Sequence, residues 1–351
     1  MNKNNYIFIS KLAEVEQLLK PFNIIENDVV VLVDENTLKY CWPLLINENP
    51  SLSKAEIIEI ESGEQNKNIS ICYQIWETLS QFNANRNTLF INLGGGVICD
   101  LGGFIASTYK RGIPFINIPT TLLAQVDASI GGKTGVDLNQ QKNMVGTFSQ
   151  AQNTIIFPGF LSTLPQNQLT SGFAEMLKHA LISDKNYWEE LIQIDAKKLA
   201  RKEIEHSVKI KSEIVEADTF EKGERKTLNF GHTIGHAVES YSLENPDYSL
   251  LHGEAVAIGM ICESYLSNQF NTLSNKEFEI IEKNILKHFP KYNHLETIHF
   301  HRLIELMKND KKNSSNKINF TLLNKIGEAS FNHEIEIEQI ITSLEYYIAL
   351  Q

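Results

Sequence analysis

Two histidines four residues apart, His232 and His236 in LNFGHTIGHAVE, fall on one face of a helix, where both imidazoles can serve one cation or one substrate. A third, His252, follows in LHGEAVAIGM, and SGFAEMLKHA supplies Glu175 with Lys178 one turn further on. A carboxylate and two or three converging imidazoles suit Zn²⁺ held with one position left for a substrate. Gly231, Gly235 and Gly253 beside the histidines favour a crowded functional surface over a solvated helix face. Spacing alone leaves open which imidazoles are ligands, and such His pairs also arise by chance. His206, His288, His294, His299, His301 and His333 lie in polar, irregular stretches and read as surface.

Two glycine-rich segments suggest anion binding. In LFINLGGGVICDLGGF (residues 89–104) a strand runs into three glycines that open a helix. Glycine lets the backbone approach a pyrophosphate closely, and the free N–H groups of a helix start favour anions. The spacing is not G-x-G-x-x-G, so tight helix–sheet packing stands as the alternative. In NIPTTLLAQVDASIGGKTGVDLNQQKNMVGTF (residues 117–148), Thr120, Thr121, Asp127, Lys133, Lys142 and Asn143 sit among glycines. Ammonium groups for phosphate, with a carboxylate and an amide for hydroxyls, suit a phosphorylated polyol. A solvated turn could hold the same residues, but so many polar side chains in an otherwise apolar stretch argue against it.

Positioning these groups takes a sheet first and helices after it. VVVLVD (Val29 to Asp34) predicts a buried strand, followed by a helix over NTLKYCWPLL. EIIEIE (Glu56 to Glu61), TLFINL (Thr88 to Leu93) and FINIP (Phe115 to Pro119) predict three more strands. Ile69, Cys72, Tyr73, Trp76 and Leu79 recur at helical spacing between the second and the third. Strand and helix in alternation predict an α/β, Rossmann-like N-terminal domain on a largely parallel sheet. Beyond Pro165 the glycines thin out, and Gly172 to Ile182, Tyr187 to Val215, Thr227 to Tyr241 and Glu254 to Phe270 are long amphipathic segments. They predict an all-α C-terminal domain, with the boundary at FPGFLSTLP dividing the chain into 1–165 and 166–351.

The bulk composition excludes several classes. Hydrophobic residues at 42% and charged residues at 21% are ordinary for a globular protein with a full core. A net charge of −11 without a basic run speaks against binding nucleic acid. Cys41, Cys72, Cys99 and Cys262 form no C-x-x-C pair, which points away from disulfides and towards a reducing cytoplasm. No apolar window suits a signal peptide or a membrane span.

The three segments, in this order, resemble the 3-dehydroquinate synthase family from Val29 to Gly327. The most specific blocks are GGGVICDLGGF, PTTLLAQVDASIGGKT, SGFAEMLKH and RKTLNFGHTIGHAVE. The resemblance implies an NAD-binding first domain and a second domain carrying Zn²⁺, with Co²⁺ able to substitute. For NAD it points to Asp34, Glu64, Lys67, Gly95, Gly96, Asp100, Thr120, Thr121, Lys142, Thr163 and Leu164. For the metal it points to Glu175, His232 and His252, which leaves His236 free as a catalytic residue. For a sugar phosphate it points to Asp127, Lys133, Asn143, Lys178, Lys211, Arg225, Asn229 and His236, with Lys311 or Lys312 joining. It also implies a homodimer in which Arg111 of YKRG reaches the neighbouring site. Three places depart from the family pattern: Cys99 where glycine is usual, Pro158-Gly159 in place of an acidic residue, and a longer span from Tyr241 to Leu251.

The implied reaction converts 3-deoxy-D-arabino-heptulosonate 7-phosphate into 3-dehydroquinate by transient oxidation, phosphate elimination, re-reduction and intramolecular aldol closure. Another sugar-phosphate cyclase, a glycerol dehydrogenase-like polyol dehydrogenase and a non-catalytic NAD-binding protein are the alternatives. A dehydrogenase would release NADH and need fewer phosphate-directed cations. A non-catalytic relative would have lost a metal ligand, and none is lost.

Overall fold

Four valines in six residues favour an extended run, and Val29–Asp34 is a strand buried along most of its length. The computed structural model describes residues 6–24, 28–138, 141–244, 246–310 and 317–350. The chain divides into two compact units, Met1–Pro165 and Gln166–Gln351.

The first unit holds strands β1 (Tyr6–Phe8), β2 (Val29–Asp34), β3 (Glu56–Ile60), β4 (Leu89–Gly94), β5 (Phe115–Pro119), β6 (Lys133–Leu138), β7 (Gln141–Phe148) and β8 (Thr154–Ile156). Six of them form one sheet in the order β1-β8-β5-β4-β2-β3, with every pairing parallel. Its helices are α1 (Val15–Leu19), α2 (Glu35–Tyr40), α3 (Trp42–Glu48), α4 (Ile69–Gln81) and α5 (Gly96–Thr108). Alternate residues of β2 serve opposite faces. Val29, Val31 and Val33 pack with Leu19 and Leu45, whereas Val30 and Leu32 pack with Leu79, Leu101 and Ile105. A parallel sheet covered on both faces needs this unbroken apolar run.

Two local readings change. The helix expected over NTLKYCWPLL is two, because Pro43 lacks an N–H and sits at the start of α3. The glycine-rich stretch after β5 folds into the antiparallel hairpin β6–β7, which the sequence reading left without structure. Its pairing brings Gly135 and Gly146 face to face, and a Cβ on Gly146 would lie 2.3 Å from the Thr134 carbonyl.

The second unit carries α6 (Gln166–Ser183), α7 (Lys185–Leu191), α8 (Arg201–Ala217), α9 (His232–Leu243), α10 (His252–Phe270), α11 (Asn275–His288), α12 (Phe300–Asp310) and α13 (Ile337–Ala349). The stretch from Tyr187 to Val215 breaks between α7 and α8, where Asp195 caps a short turn by accepting from the Lys197 N–H at 2.9 Å. The stretch from Thr227 breaks at Gly231, whose φ of +78° ends one turn before α9 begins. This unit is helical with one departure from all-α: the antiparallel hairpin β9 (Lys317–Lys325) and β10 (Glu328–Glu336). Ile318 and Phe320 are buried while Lys317 and Asn319 are half-buried, a period of two rather than 3.6, before Thr321 to Leu323 are all buried. Gly327 makes the tight turn at φ +89°, and its N–H donates to the Leu181 carbonyl near the end of α6 at 2.8 Å. Among the described residues no helix is long and apolar enough to cross a membrane.

α5 lies on β4 with no space to spare at Gly102. A Cβ there would stand 1.9 Å from Asn92 Oδ1, and the Asn92 amide donates to Asn117 Oδ1 at 2.8 Å. Gly102→Ala is therefore expected to cost about 2 kcal/mol of unfolding free energy through overpacking. Urea denaturation of the first unit's transition checks this, and an unchanged midpoint would contradict it.

Candidate functional site

In the second unit three helices each bring one ligand-grade side chain to a common point. Glu175 projects from α6, His232 from the first residue of α9 and His252 from the first residue of α10. The His232 and His252 Nε2 atoms lie 3.5 and 3.4 Å from the same Glu175 Oε1. Ligands about 2.0–2.1 Å from a tetrahedral Zn²⁺ stand about 3.3 Å from one another, so this spacing fits the ion. One donor atom from each of the three lies within 4.8 Å of the others.

Each ring is tied back through its other nitrogen. His232 Nδ1 meets the Phe230 carbonyl at 3.1 Å, and His252 Nδ1 meets Glu239 Oε2 at 3.1 Å. A carbonyl oxygen only accepts, so His232 Nδ1 carries the proton and Nε2 presents its lone pair. Burial, and after it the Lys178 ammonium, hold His232 well below the usual histidine range. Burial also works against charge on His252, but Glu239 and Glu175 outweigh it and push that imidazole up to about 10. Lys178, buried one turn along α6, pairs with Glu175 Oε2. His236 completes the cluster, its ring centroid 5.0 Å from that of His232 and 5.9 Å from that of His252.

The remaining second-unit residues singled out from the sequence sit on elements around α6. The turn Glu224–Asn229 packs on α6 and α8 and carries Arg225 and Asn229. Arg225 is buried and donates from Nη1 to the Thr219 carbonyl at 2.6 Å, while Asn229 donates to Glu221 Oε1 at 2.6 Å. Lys211 is buried on α8. Lys311 and Lys312 lie outside the described residues.

In the first unit, the strand order reverses between β2 and β4, and Asp34 and Gly94 mark their adjacent carboxyl ends. That position is where open parallel sheets take up ligands. Gly95 is the N-cap of α5 and Gly96 its first residue. Lys67, almost fully buried, donates to Asp100 Oδ2 and Asn143 Oδ1, both at 2.7 Å. Lys142 pairs with Glu64 at 3.4 Å. Ion pairs and hydrogen bonds thus join Glu64, Lys67, Asp100, Lys142 and Asn143, so that Asn143, expected at the substrate, lies beside four residues expected at NAD. The Asp34 carboxylate caps α2, accepting from the Thr37 N–H at 2.8 Å. Thr120 and Thr121 follow β5, and Thr163 and Leu164 close the turn after β8. Asp127 lies in the π-helical turn Ala124–Ala128, and Lys133 opens β6. Cys99 fits its glycine-like position as a buried thiol, its Sγ 3.9 Å from the Gly94 carbonyl. Arg111 is exposed in the turn after α5, with a φ of +67° next to Lys110 at +48°.

Several contributors escaped the sequence reading. Glu239 stands seven residues after His232 and three after His236, so the helical period could have found it. Glu263 gave a fainter signal, an acid inside the apolar run of α10. His179 is fully buried against Ser207 Oγ at 2.8 Å. Of the histidines read as surface, His294 and His301 are exposed, while His206, His288, His299 and His333 are half-buried.

Comparison with known proteins adds an independent line. Residues 57–171 match the family described as 3-dehydroquinate synthase N-terminal, and residues 172–313 match 3-dehydroquinate synthase C-terminal. The chain is 42% identical over 321 residues to the 3-dehydroquinate synthase of Parabacteroides distasonis, covering 90% of each. It is 38% identical over 344 residues to that of Helicobacter pylori, covering 98% of this chain and 96% of the relative. Among solved structures it is similar to 2-epi-5-epi-valiolone synthase from Streptomyces hygroscopicus subsp. jinggangensis with NAD⁺ and Zn²⁺ bound. That match has a TM-score of 0.84 and 26% identity, over 99% of this chain and 97% of the other.

The tie from Glu239 to His252 is open to direct test. Glu239→Gln replaces one acceptor oxygen by a donor and is expected to weaken Zn²⁺ binding about tenfold. Competition with a chelating dye measures this, and unchanged affinity would remove Glu239 from the arrangement.

Proposed function

The chain belongs to the 3-dehydroquinate synthase family, and from that premise we propose that it converts 3-deoxy-D-arabino-heptulosonate 7-phosphate into 3-dehydroquinate and phosphate. The observation that carries this reading is the convergence of Glu175, His232 and His252 with both Nδ1 atoms tied back. Zn²⁺, or Co²⁺ in its place, is held by those three residues and supplies Lewis acidity towards substrate hydroxyls. NAD⁺, held at the loop after β4 and by the network of Glu64, Lys67, Asp100 and Lys142, supplies a reversible hydride acceptor.

The chain's own residues do the rest. Lys133, Lys178, Lys211 and Arg225 hold the anionic ends of the substrate, and their cations favour departure of phosphate. Asp127, Asn143 and Asn229 orient hydroxyls through hydrogen bonds. His236 accepts and returns a proton beside the metal ligands, on the same helix face as His232. The active form is a homodimer in which Arg111 enters the partner's site. The two consecutive left-handed residues Lys110 and Arg111 support that role, since such backbone strain concentrates where side chains must be aimed. Four buried free cysteines support a reducing, cytoplasmic setting.

A cofactor that would end each turnover unchanged predicts that absorbance of NADH does not accumulate while phosphate is released. One NADH formed per phosphate would replace this reading with a dehydrogenase. The shared site predicts complementation as well. Arg111→Ala and His236→Ala are each expected to lose most of their turnover, and mixing them should restore part of it through hybrid dimers holding one intact site. Tag exchange without recovered activity would refute a site built from two chains.

A further inference from the structure

The helix that carries His232 and His236 begins without a capping side chain of its own. Its N-cap is Gly231, at a φ of +78°, and a Cβ there would lie 2.6 Å from Met260 Cγ and 3.2 Å from the Val256 carbonyl. No serine, threonine, aspartate or asparagine can therefore occupy the position that normally answers the first N–H groups of a helix. The acceptors come from another helix instead. Glu263, in the middle of α10 and with no exposure, takes the Gly231 N–H on Oε2 at 2.7 Å and the Ile234 N–H on Oε1 at 3.0 Å.

Met260, Ile261, Cys262 and Leu266 are buried around Glu263 on α10, with the hydroxyls of Ser264 and Ser267 buried among them. A carboxyl group in such company is costly unless both oxygens are bonded. Core packing alone would be served as well by methionine or leucine. The use of this carboxyl lies in the peptide it grips. The Gly231 N–H belongs to the same peptide unit as the Phe230 carbonyl, and that carbonyl is the partner of His232 Nδ1 at 3.1 Å. A peptide unit is planar, so holding its N–H on one side fixes where its carbonyl points on the other. Hydrogen bonds in series also polarise one another, so the bond to the N–H strengthens the carbonyl as an acceptor and makes His232 Nε2 a better donor to a metal.

We propose that Glu263 is a positioning residue of the metal centre, acting on His232 through the Phe230–Gly231 peptide. This rests on the reading of Glu175, His232 and His252 as a divalent metal site. Glu263 is not one of the three proposed ligands. It fixes the tautomer and ring plane of one ligand from the neighbouring helix, and by the same grip it sets the start of the helix face that carries His236.

The test uses the full-length protein, titrated with Co²⁺ and, in competition with a chelator, with Zn²⁺. Glu263→Gln keeps the volume and one acceptor but turns an NH₂ towards a backbone N–H. Its affinity for both ions is expected to fall about tenfold, the usual scale for losing an outer-shell partner. The visible absorption of the Co²⁺ protein is expected to shift, because the ligand field responds to the orientation of the His232 ring. Ser274→Ala is the control: it removes the N-cap of α11, where Ser274 Oγ accepts from the Glu277 N–H, and should lower thermal stability with neither metal readout moving. Should Glu263→Gln fail to fold, Glu263→Asp retains two acceptors withdrawn by one methylene and is expected to move affinity and spectrum in the same direction. Affinities within about twofold of the starting protein, with an unshifted spectrum and only a loss of thermal stability, would overturn the proposal and leave Glu263 a helix cap. A starting protein that binds neither ion would overturn the metal site together with it, which separates the two failures.

Discussion

Backbones approach one another closely in the second unit, and the proposed metal centre depends on it. A Cβ on Gly259 would lie 1.9 Å from the Gly231 carbonyl, and one on Gly253 would lie 2.0 Å from the Ser171 carbonyl. Gly235 leaves only 3.1 Å to the Ala255 carbonyl. These contacts press α9 onto α10 and α10 onto α6 with no side chains in the way. A metal site tolerates about 0.2 Å of error in its ligand distances, so any residue that wedges these helices apart would separate the ligands by more than an ion can bridge.

Within that contact, each ligand is held by a side chain other than its own. Ser171 on α6 accepts from the Gly253 N–H at 2.9 Å and fixes the start of α10 beside His252. Glu263 on α10 fixes the start of α9 beside His232, and Glu239 on α9 returns to His252. Lys178 secures Glu175 on the helix they share. A buried polar network tied together in this way restrains its members, since any one group that moved would strand another in a medium of low dielectric. The desolvation of three carboxylates is thereby turned into orientation.

What the sequence made legible follows from range. The strands of the first unit declared themselves through runs of valine, isoleucine and leucine, because a strand buried on both faces needs nothing else. The proposed metal ligands were legible as chemistry from the His pair, but their division into ligands and a free His236 came only from family resemblance. Glu239 lay within reach of helical spacing, and Glu263 did not, since its purpose appears only when α10 is laid against α9. The hairpin after β5 hid for a different reason: its glycines gave no strand pattern, whereas here Gly135 and Gly146 let two strands lie close together beside α5. The hairpin β9–β10 was passed over because its alternation is short and stands among helices.

That last hairpin bears on when the site can come into being. Its turn donates from the Gly327 N–H to the Leu181 carbonyl, near the end of the helix that carries Glu175. A Cβ on Gly327 would lie 2.6 Å from the Lys185 nitrogen, so the turn is seated against the junction of α6 and α7. Glu175 emerges from the ribosome early in the second unit, and the strand pair that braces its helix emerges near the end. Loop closure over so much chain is slow relative to helix formation. The brace on the helix of Glu175 thus spans most of the second unit, and it can close only after the β9–β10 hairpin has been made.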